Sequence, residues 1–548
     1  MSSHAPGPIP AVSSGDVLDS WKAIAQYLNR DIRTLQRWES IRNLPVHRIP
    51  GGERPGVYAL KSELDAWRRG RDIHVADASD LGDVAKPGTG LPSVAVLPFV
   101  NLAGDKENEY FADGLADEII TALARVPSLR VTARTSSFAF RGKDLDVRKI
   151  GSSLDVKAIL EGSVRRSGDR VRVTAQLIDT ADGYHLWSER YDRELTEIFS
   201  IQEDISQAIV DALRVRLTKG LPPARRQTSN AEAYALWLKG RYHCIRHTPA
   251  ELLRSRSYFE QAAALDPGYP AAQMGIAESW WQCAAFGMES PREAVAIGRC
   301  AVRRALDADG TLGEAHAMLG VYHGLHDFNW NAAAQSFQRA SELSPASPDV
   351  HLMRAAYLLE PLARLAEARA ELETALELDP LSPVVLTYLG QSLMFERQYD
   401  RAIERLQEAA EIDPEYWFPK FILFGTNVFR GRLDQSVQIG EQAVAALGPN
   451  PIVLGAVGGV SAMCGRRDRA QEILRQIEII GATRYVSPLS IAWIHMGLQD
   501  ANATMDWLEK AVEEREPQIM HFAVKPLYDG LRTHPRFQAL IRRMGLEP

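Results

Sequence analysis

Cysteine is scarce in this chain of 548 residues, and no long apolar segment is present. The spacing of its four cysteines fits neither a metal-binding motif nor a disulfide framework: Cys244, Cys283, Cys300 and Cys464. No run of about 18 apolar residues predicts a membrane-spanning helix. The first residues also lack the apolar core of a secretory signal. We therefore expect a cytoplasmic protein with reduced thiols and no membrane partner.

The common signatures of catalysis and cofactor binding are missing as well. The sequence has no G-x-x-x-x-G-K-[ST] phosphate loop, no H-E-x-x-H zinc motif and no G-x-S-x-G nucleophile motif. His243, Cys244 and His247 stand at helical spacing, but a packing role is much more common than metal binding for such a set. We expect no catalytic residue, no cofactor and no metal, and hence no enzyme.

Charge is distributed unevenly along the chain. The net charge is -7, yet the stretch from Ser20 to Val75 contains more basic than acidic residues and carries a charge of +5. The rest of the chain is therefore strongly acidic. A basic head on an acidic body indicates a local nucleic-acid contact rather than one spread over the whole surface.

The basic stretch predicts two short helices followed by a β-hairpin. Ser20 is a good N-cap for a first helix, and Asp31 is a good N-cap for a second helix over residues 32–39. Leu35 and Trp38 lie on the apolar side of that second helix. Residues 44–49 and 57–60 predict the two strands of the hairpin, and a glycine- and proline-rich loop separates them.

These stretches resemble the winged helix-turn-helix of the MerR and excisionase-like families. The resemblance rests on DIRTLQRWE from Asp31, LPVHR from Leu44 and SELDAW from Ser62. It implies that the helix over 32–39 enters the major groove of double-stranded DNA while the hairpin contacts phosphates. The candidate DNA-binding residues are Arg33, Thr34, Gln36, Arg37, Arg48 and Arg54.

Residues 93–216 alternate strand and helix patterns and predict a mixed α/β domain. This stretch resembles the TolB amino-terminal-like domain, through FADGL from Phe111, ARTSSF from Ala133, LEGSVR from Leu160 and LWSERY from Leu186. The resemblance implies a regulatory or interaction module and no reaction. Asn101, Asp113 and Arg134 are candidates to line a ligand pocket beyond the first strand.

A repeat dominates the rest of the chain. Prolines at 345, 380, 414 and 449 recur at steps of 35, 34 and 35 residues, each at the end of a helical pattern. A period near 34 with paired helices is typical of tetratricopeptide repeats, which the stretch resembles. We expect seven or eight units, irregular near residues 271–310 and 451–488, in which each repeating proline starts a new helix. Residues 524–544 are expected to cap the stack.

The expected architecture is multidomain: a winged helix-turn-helix, a mixed α/β domain and an all-α solenoid. Residues 1–16 are predicted to be disordered, 17–72 to bind DNA, 93–216 to form the α/β domain and 231–548 the solenoid, with linkers at 73–92 and 217–230. This order favours a bacterial transcription regulator whose repeats bind a protein or peptide in their concave groove. The alternatives are a scaffold that does not bind DNA and, less favoured, a relative of nucleotide cyclases or kinases.

Overall fold

A computed structural model gives the fold of the chain, which divides into two compact units, Met1–Thr89 and Gly90–Pro548. Among the described residues, no helix is both long and apolar enough to cross a bilayer. The structure describes residues 17–18, 20–28, 44–48, 57–61, 63–64, 92–102, 109–124, 126, 129–143, 145–167, 170–194, 198–213, 228–246 and 248–547.

The described part of the first unit is one helix and a small antiparallel sheet. Helix α1 (Trp21–Leu28) begins at Ser20, whose hydroxyl accepts a hydrogen bond from the Ala23 N–H at 3.3 Å. Strand β3 (Val57–Leu60) lies between β1 (Val17–Leu18) and β2 (His47–Arg48). The two strands of the expected hairpin are therefore paired, with His47 opposite Tyr58.

A mixed six-stranded sheet forms the first part of the second unit, in the order β6-β4-β7-β8-β9, with β5 also paired to β7. Strand β4 is parallel to β6 and β7, whereas β7, β8 and β9 form an antiparallel meander. The strands are β4 (Ser93–Val96), β5 (Val100–Asn101), β6 (Arg130–Val131), β7 (Ala158–Ser167), β8 (Arg170–Asp179) and β9 (His185–Glu194). The helices are α2 (Glu109–Ala124), α3 (Arg134–Phe138), α4 (Val147–Leu154) and α5 (Ile198–Ala212).

Eight helix pairs follow in the described residues between 231 and 513. This number is the higher of the two that the sequence predicts, seven or eight. The first helices of the pairs are α6 (Ala231–Cys244), α8 (Pro270–Ala285), α10 (Gly313–Val321), α12 (Pro348–Arg354), α14 (Pro383–Phe395), α16 (Phe418–Phe429), α18 (Pro451–Met463) and α20 (Pro488–Gly497). The second helices are α7 (Pro249–Leu265), α9 (Pro291–Ala308), α11 (Trp330–Leu343), α13 (Leu365–Leu378), α15 (Tyr399–Ile412), α17 (Leu433–Leu447), α19 (Arg467–Gly481) and α21 (Ala501–Glu513).

Single turns of wider or tighter helix extend some of these elements. Helices α10 and α12 continue as π-helical turns over Tyr322–His326 and Ala355–Leu359. After α21 come two 3₁₀ turns, Pro517–His521 and Pro526–Leu531, and helix α22 (Pro535–Arg543). The units that the sequence predicts to be irregular, near 271–310 and 451–488, are ordinary helix pairs.

The helices do not begin at the repeating prolines, which corrects the expectation from the sequence. Pro380 lies in the turn after α13, and a second proline, Pro383, occupies the first turn of α14. The same holds for Pro345 and Pro348 around α12. The reason is that a first-turn proline gives up an N–H that has no partner inside the helix, so it is the later proline that starts the helix.

One apolar core joins the α/β sheet to the first repeats. Buried residues of α2 and α5, such as Leu115 and Ile205, belong to the same cluster as Tyr234 and Trp237 of α6. A Cβ on Gly114 would lie only 2.2 Å from Leu238 Cδ2, so the glycine of the FADGL stretch permits the close approach of α2 and α6. Two regions that the sequence predicts as separate domains thus pack as one unit.

The stack of repeats curls back on itself. The ring of Phe286, directly after α8, packs edge-on against Trp417 before α16, with centroids 5.1 Å apart. The Asn450 side chain donates to the Phe286 carbonyl at 3.2 Å, and Arg292 donates to the Glu513 carbonyl at 2.7 Å. The second repeat therefore contacts the sixth to eighth. We call the side enclosed by this curl the inner surface.

Candidate peptide-binding groove

Most residues predicted to contact DNA cannot be placed. Arg48 lies on β2, opposite Val57 of β3. The predicted second helix over 32–39 and the loop of the hairpin lie outside the described residues, and DNA contact stays a prediction for the residues they carry, Arg33, Thr34, Gln36, Arg37 and Arg54.

Two of the three residues predicted to line a ligand pocket, Asp113 and Arg134, lie in a cluster of ion pairs, and the third, Asn101, lies on β5. Asp113 Oδ1 lies 2.5 Å from Arg141 Nη2, and Arg134 Nε lies 3.4 Å from Asp117 Oδ2. Burial raises the pKa of Asp113, and the charge of Arg141 only partly opposes this effect. Asp117 links this cluster to Arg241 of the first repeat.

A buried aspartate of the repeats holds helix α3 of the sheet region. The Asp379 carboxylate, 3% exposed, accepts hydrogen bonds from the Ser136 N–H at 3.0 Å and from the Ser136 hydroxyl. The same hydroxyl accepts from the Leu381 N–H at 2.8 Å. Ala133, the N-cap position of α3, offers no side-chain acceptor. Asp379 therefore supplies from a distant part of the chain the cap that α3 lacks.

Aromatic side chains run along the inner surface from repeat to repeat. The centroid distances are 5.9 Å from Trp281 to Tyr357, 6.5 Å from Tyr357 to Tyr388 and 5.9 Å from Tyr388 to Phe418. The hydroxyls of Tyr357 and Tyr388 are 3.2 Å apart. Trp281 is buried, whereas both tyrosines are half-buried. We call these four residues the aromatic row.

Three carboxylates approach the exposed part of this row. Glu278 of α8, Glu314 of α10 and Asp349 of α12 come from the first helices of three successive repeats. Asp349 is exposed, and the two glutamates are half-buried. Water reaches Asp349, yet protein surrounds it closely. Burial and the charges of both glutamates raise the pKa of Asp349 to about 7. We call these residues the acidic group.

One arginine lies near the acidic group, and it is already paired. The charge of Arg241 lowers the pKa of Asp349, but by less than burial and the two glutamates raise it. Arg241 Nη2 lies 3.1 Å from Asp117 Oδ2 in the ion cluster described above. The described side chains around the acidic group therefore leave it with excess negative charge.

Residues 514–547 cover the inner surface of the later repeats. Arg397, after α14, donates to the Val524 carbonyl at 3.0 Å and to Asp529 at 2.8 Å. Trp330 Nε1 donates to the Met544 carbonyl at 2.8 Å. The sequence predicts only a terminal cap here. The structure instead places this C-terminal segment against repeats three to five as well, because the curl brings them within reach.

The covered half is largely apolar and contains neutral polar groups. Glu360 is fully buried, and burial raises its pKa to about 8, so its carboxyl is mostly protonated at neutral pH. His521 Nε2 lies 3.5 Å from Glu360, and burial lowers the pKa of this imidazole to about 3. The space left beside Phe395 and Phe421 has a volume of about 80 Å³. This space has room for a few water molecules but is too small for a peptide.

The inner surface that stays open to a partner in the concave groove, which the sequence predicts, therefore lies around the acidic group and the aromatic row. Residues 514–547 reach the last residues of α8 and α14 there, Ala285 and Phe395. We call this open part the exposed half. His243, which belongs to the set for which the sequence favours a packing role over metal binding, hydrogen-bonds Glu251, with Nδ1 and Oε2 2.5 Å apart. In the part of the chain that the structure describes, no three His, Cys, Asp or Glu residues are grouped to hold a metal ion.

Sequence reasoning did not identify Asp379, Tyr357 or Tyr388. Asp379 stands in the repeating Leu-Asp-Pro signal. At such a position an aspartate is expected to accept hydrogen bonds from N–H groups of its own turn. The two tyrosines do not recur at a fixed step, so the period reveals nothing about them. Only a three-dimensional arrangement shows that they meet.

Residues 231–513 form a tetratricopeptide-like helical solenoid, and residues 352–380 match the model of the tetratricopeptide repeat family. The chain is 45% identical over 187 residues to "Putative adenylate cyclase 3" of Rhizobium meliloti (strain 1021), a match that covers 34% of this chain. The chain spans about a third (32%) of the length of this curated relative.

Several solved structures are similar to this chain at low identity. Human IFIT1, as a dimer with m7Gppp-AAAA, is 13% identical, with 61% of this chain and 78% of that chain covered and a TM-score of 0.41. PilF of Pseudomonas aeruginosa is 18% identical, with 39% and 97% covered and a TM-score of 0.28. TolB of Acinetobacter baumannii is 21% identical, with 24% and 30% covered and a TM-score of 0.18.

Proposed function

We propose that this protein is an interaction scaffold whose repeats bind a segment of a partner protein. The observation that carries the proposal is the exposed half of the inner surface, where the aromatic row meets the acidic group. Aromatic rings provide contact area at a low cost in conformational entropy, and their hydroxyls provide hydrogen bonds. The covered half is closed by the chain itself, which leaves one continuous surface for the partner.

Site-specific photo-crosslinking tests this proposal. A photoreactive amino acid at Met353, which is half-buried beside Tyr357, is compared with the same amino acid at the exposed Glu404 of α15. We expect a partner segment that crosslinks at 353 and not at 404, and a synthetic peptide of that segment that competes with it. Equal crosslinking at both positions would contradict a groove-bound partner.

A second candidate function is DNA binding by the N-terminal unit. Its support is the charge of +5 over residues 20–75 together with the paired strands β2 and β3 beside α1. In this function Arg33, Thr34, Gln36 and Arg37 contact bases, and Arg48 and Arg54 contact phosphates. The protein is then a transcription regulator that also uses its repeats for a partner.

Retardation of genomic DNA fragments by the full chain tests the second function. The double substitution R33A/R37A is expected to abolish sequence-specific retardation, and binding of the unaltered chain is expected to weaken steeply with salt. The matched control is R467A/R475A, which removes two exposed arginines from α19. DNA binding that survives R33A/R37A at full strength excludes this function and leaves the scaffold alone.

We further propose that the chain catalyses no reaction of its own. The name of the relative from Rhizobium meliloti makes nucleotide cyclisation the first activity to assay. The full chain is incubated with ATP and a divalent cation, and cyclic AMP is measured against a blank without protein. We expect no product above the blank, and turnover that scales with protein concentration would overturn the proposal.

A further inference from the structure

The exposed half of the inner surface has a definite charge preference. Glu278, Glu314 and Asp349 reach it from three successive repeats, and the nearby Arg241 is held by Asp117. Carboxylates at neighbouring positions repel one another when they are ionised, and a cation between them removes this repulsion. An anionic or neutral ligand leaves this repulsion in place, whereas a cationic side chain removes it.

The aromatic row beside the acidic group suits the same kind of ligand. A guanidinium or ammonium group is attracted to the face of an aromatic ring within about 6 Å of its centre. The half-buried rings of Tyr357 and Tyr388 lie in the row next to these carboxylates. A cation placed there meets negative charge on one side and ring faces on the other.

An unsatisfied polar atom in the same place suits the backbone of a peptide. Gln282 Nε2 donates to Glu278 at 3.2 Å, but its buried Oε1 has no donor among the residues that the structure describes. A buried acceptor without a partner is costly, and a peptide N–H would satisfy it.

The covered half of the inner surface already contains a contact between a lysine and an aromatic ring. Lys525 of the C-terminal segment places its ammonium group 5.0 Å from the centre of the Trp493 ring. Burial lowers the pKa of Lys525 to about 8, so the group still carries its charge for most of the time at neutral pH. The chain thus already uses a lysine over an aromatic ring to cover the inner surface of its later repeats.

We propose that the exposed half of the inner surface, between α8 and α14, binds a cationic segment of a partner protein. An arginine or lysine of that segment lies between the acidic group and the rings of Tyr357 and Tyr388, and its backbone pairs with Gln282. This inference rests on the scaffold function proposed above, to which it adds the chemical class of the partner.

Fluorescence anisotropy with the full chain tests the inference. The probe is a fluorescein-labelled peptide of eight residues in which arginine alternates with leucine, and the comparison probes carry serine or glutamate instead of arginine. The double substitution E278Q/D349N removes two charges from the groove with little change in shape. E404Q/E411Q removes two charges from exposed positions on α15 as the matched control.

We expect E278Q/D349N to weaken binding of the arginine peptide at least about tenfold, and the control to change it by less than about twofold. Equal effects of both double substitutions, or no effect of either, overturn the proposal. Circular dichroism checks that the variants are folded.

The same experiment separates this inference from the scaffold function. If the serine peptide binds as tightly as the arginine peptide and Y357A weakens both, the groove binds peptides but has no cationic preference. If no peptide responds to Y357A or to E278Q/D349N, the peptide-binding function fails together with the inference.

Discussion

Asp379 illustrates how one side chain of a repeated position acquires a role that its counterparts lack. Asp309 and Asp413, at equivalent ends of second helices, accept hydrogen bonds from Thr311 and Glu415 of their own turns. Asp379 instead accepts from Ser136, which is 243 positions away in the chain. The difference arises because the N-terminal turn of α3 in the sheet region lies against the turn that contains Asp379.

The substitution D379A is expected to lower the free energy of unfolding by about 1–3 kcal/mol, because the buried Ser136 N–H and hydroxyl lose their acceptor. The matched control D413A removes hydrogen bonds within a single exposed turn, and we expect a loss of about 0.5–1 kcal/mol. Urea unfolding followed by tryptophan fluorescence measures both. Faster amide exchange in residues 134–138 is expected for D379A alone, and equal losses would contradict the capping role.

A histidine–carboxylate pair makes stability depend on pH. His351 Nδ1 lies 2.6 Å from Glu371 Oε2, and this hydrogen bond raises the pKa of His351. Burial of Glu371 acts to raise its own pKa, but His351 and Arg354 outweigh burial and lower it. The histidine contribution is complete below its unfolded pKa of about 6.5 and is lost as pH rises through its folded pKa. The carboxylate contribution is present above about 4.5 and is lost in stronger acid.

Between about pH 4.5 and pH 6.5 the pair of His351 and Glu371 contributes most to stability. H351Q is therefore expected to cost more stability at pH 5.5 than at pH 8.5. The expected difference is about 1 kcal/mol, since the pair is only partly buried. Urea midpoints of the two proteins at both pH values measure it. A cost that does not depend on pH would show that His351 acts by packing alone.

At the scale of the helix pair, small residues decide how closely the two helices approach. A Cβ on Gly320 of α10 would lie 2.8 Å from the ring of Phe337 in α11, which is fully buried. A Cβ on Gly425 of α16 would find its nearest neighbour, Phe429, at 3.9 Å. The first glycine is required by packing, and the second is not.

G320A is therefore expected to destabilise the protein by about 1–3 kcal/mol through overpacking. G425A is expected to be neutral or to stabilise it by up to about 1 kcal/mol, because alanine favours the helix. Thermal unfolding compares the two. Similar losses for both substitutions would mean that the Gly320–Phe337 contact does not limit the approach of α10 and α11.

The sequence predicts most of these elements because local signals specify them. Residues 93–216 contain both strands and helices, as predicted, with α4 over Val147–Leu154 and β7 paired to β8. Helix α3 was not predicted, since its cap comes from Asp379 and leaves no local signal. The groove depends even more on distant contacts, because the half-buried Tyr357 and Tyr388 approach each other only once the repeats have stacked.

At the scale of the whole molecule, the curl of the repeats determines which inner surface remains available. It brings Ala285 and Trp330 of the early repeats against residues 514–547, with Gln518 Nε2 donating to the Ala285 carbonyl at 3.4 Å. The chain thus covers the later part of its own inner surface and also reaches helix ends in its early repeats. In the proposed scaffold, the charge of the exposed half, rather than its size, is expected to distinguish one partner from another.

Arg397 is a main polar link between the repeats and this C-terminal segment, so R397A tests how the segment is held. Loss of its contacts to Val524 and Asp529 is expected to raise amide exchange in residues 517–531 about fivefold, which corresponds to about 1 kcal/mol, and to leave residues 231–265 unchanged. The control R405A removes a pair with Glu408 within α15. Hydrogen–deuterium exchange by mass spectrometry measures these effects. If residues 517–531 exchange at the same rate in both variants, the apolar contacts of Phe522 and Tyr528 alone hold the segment against the repeats.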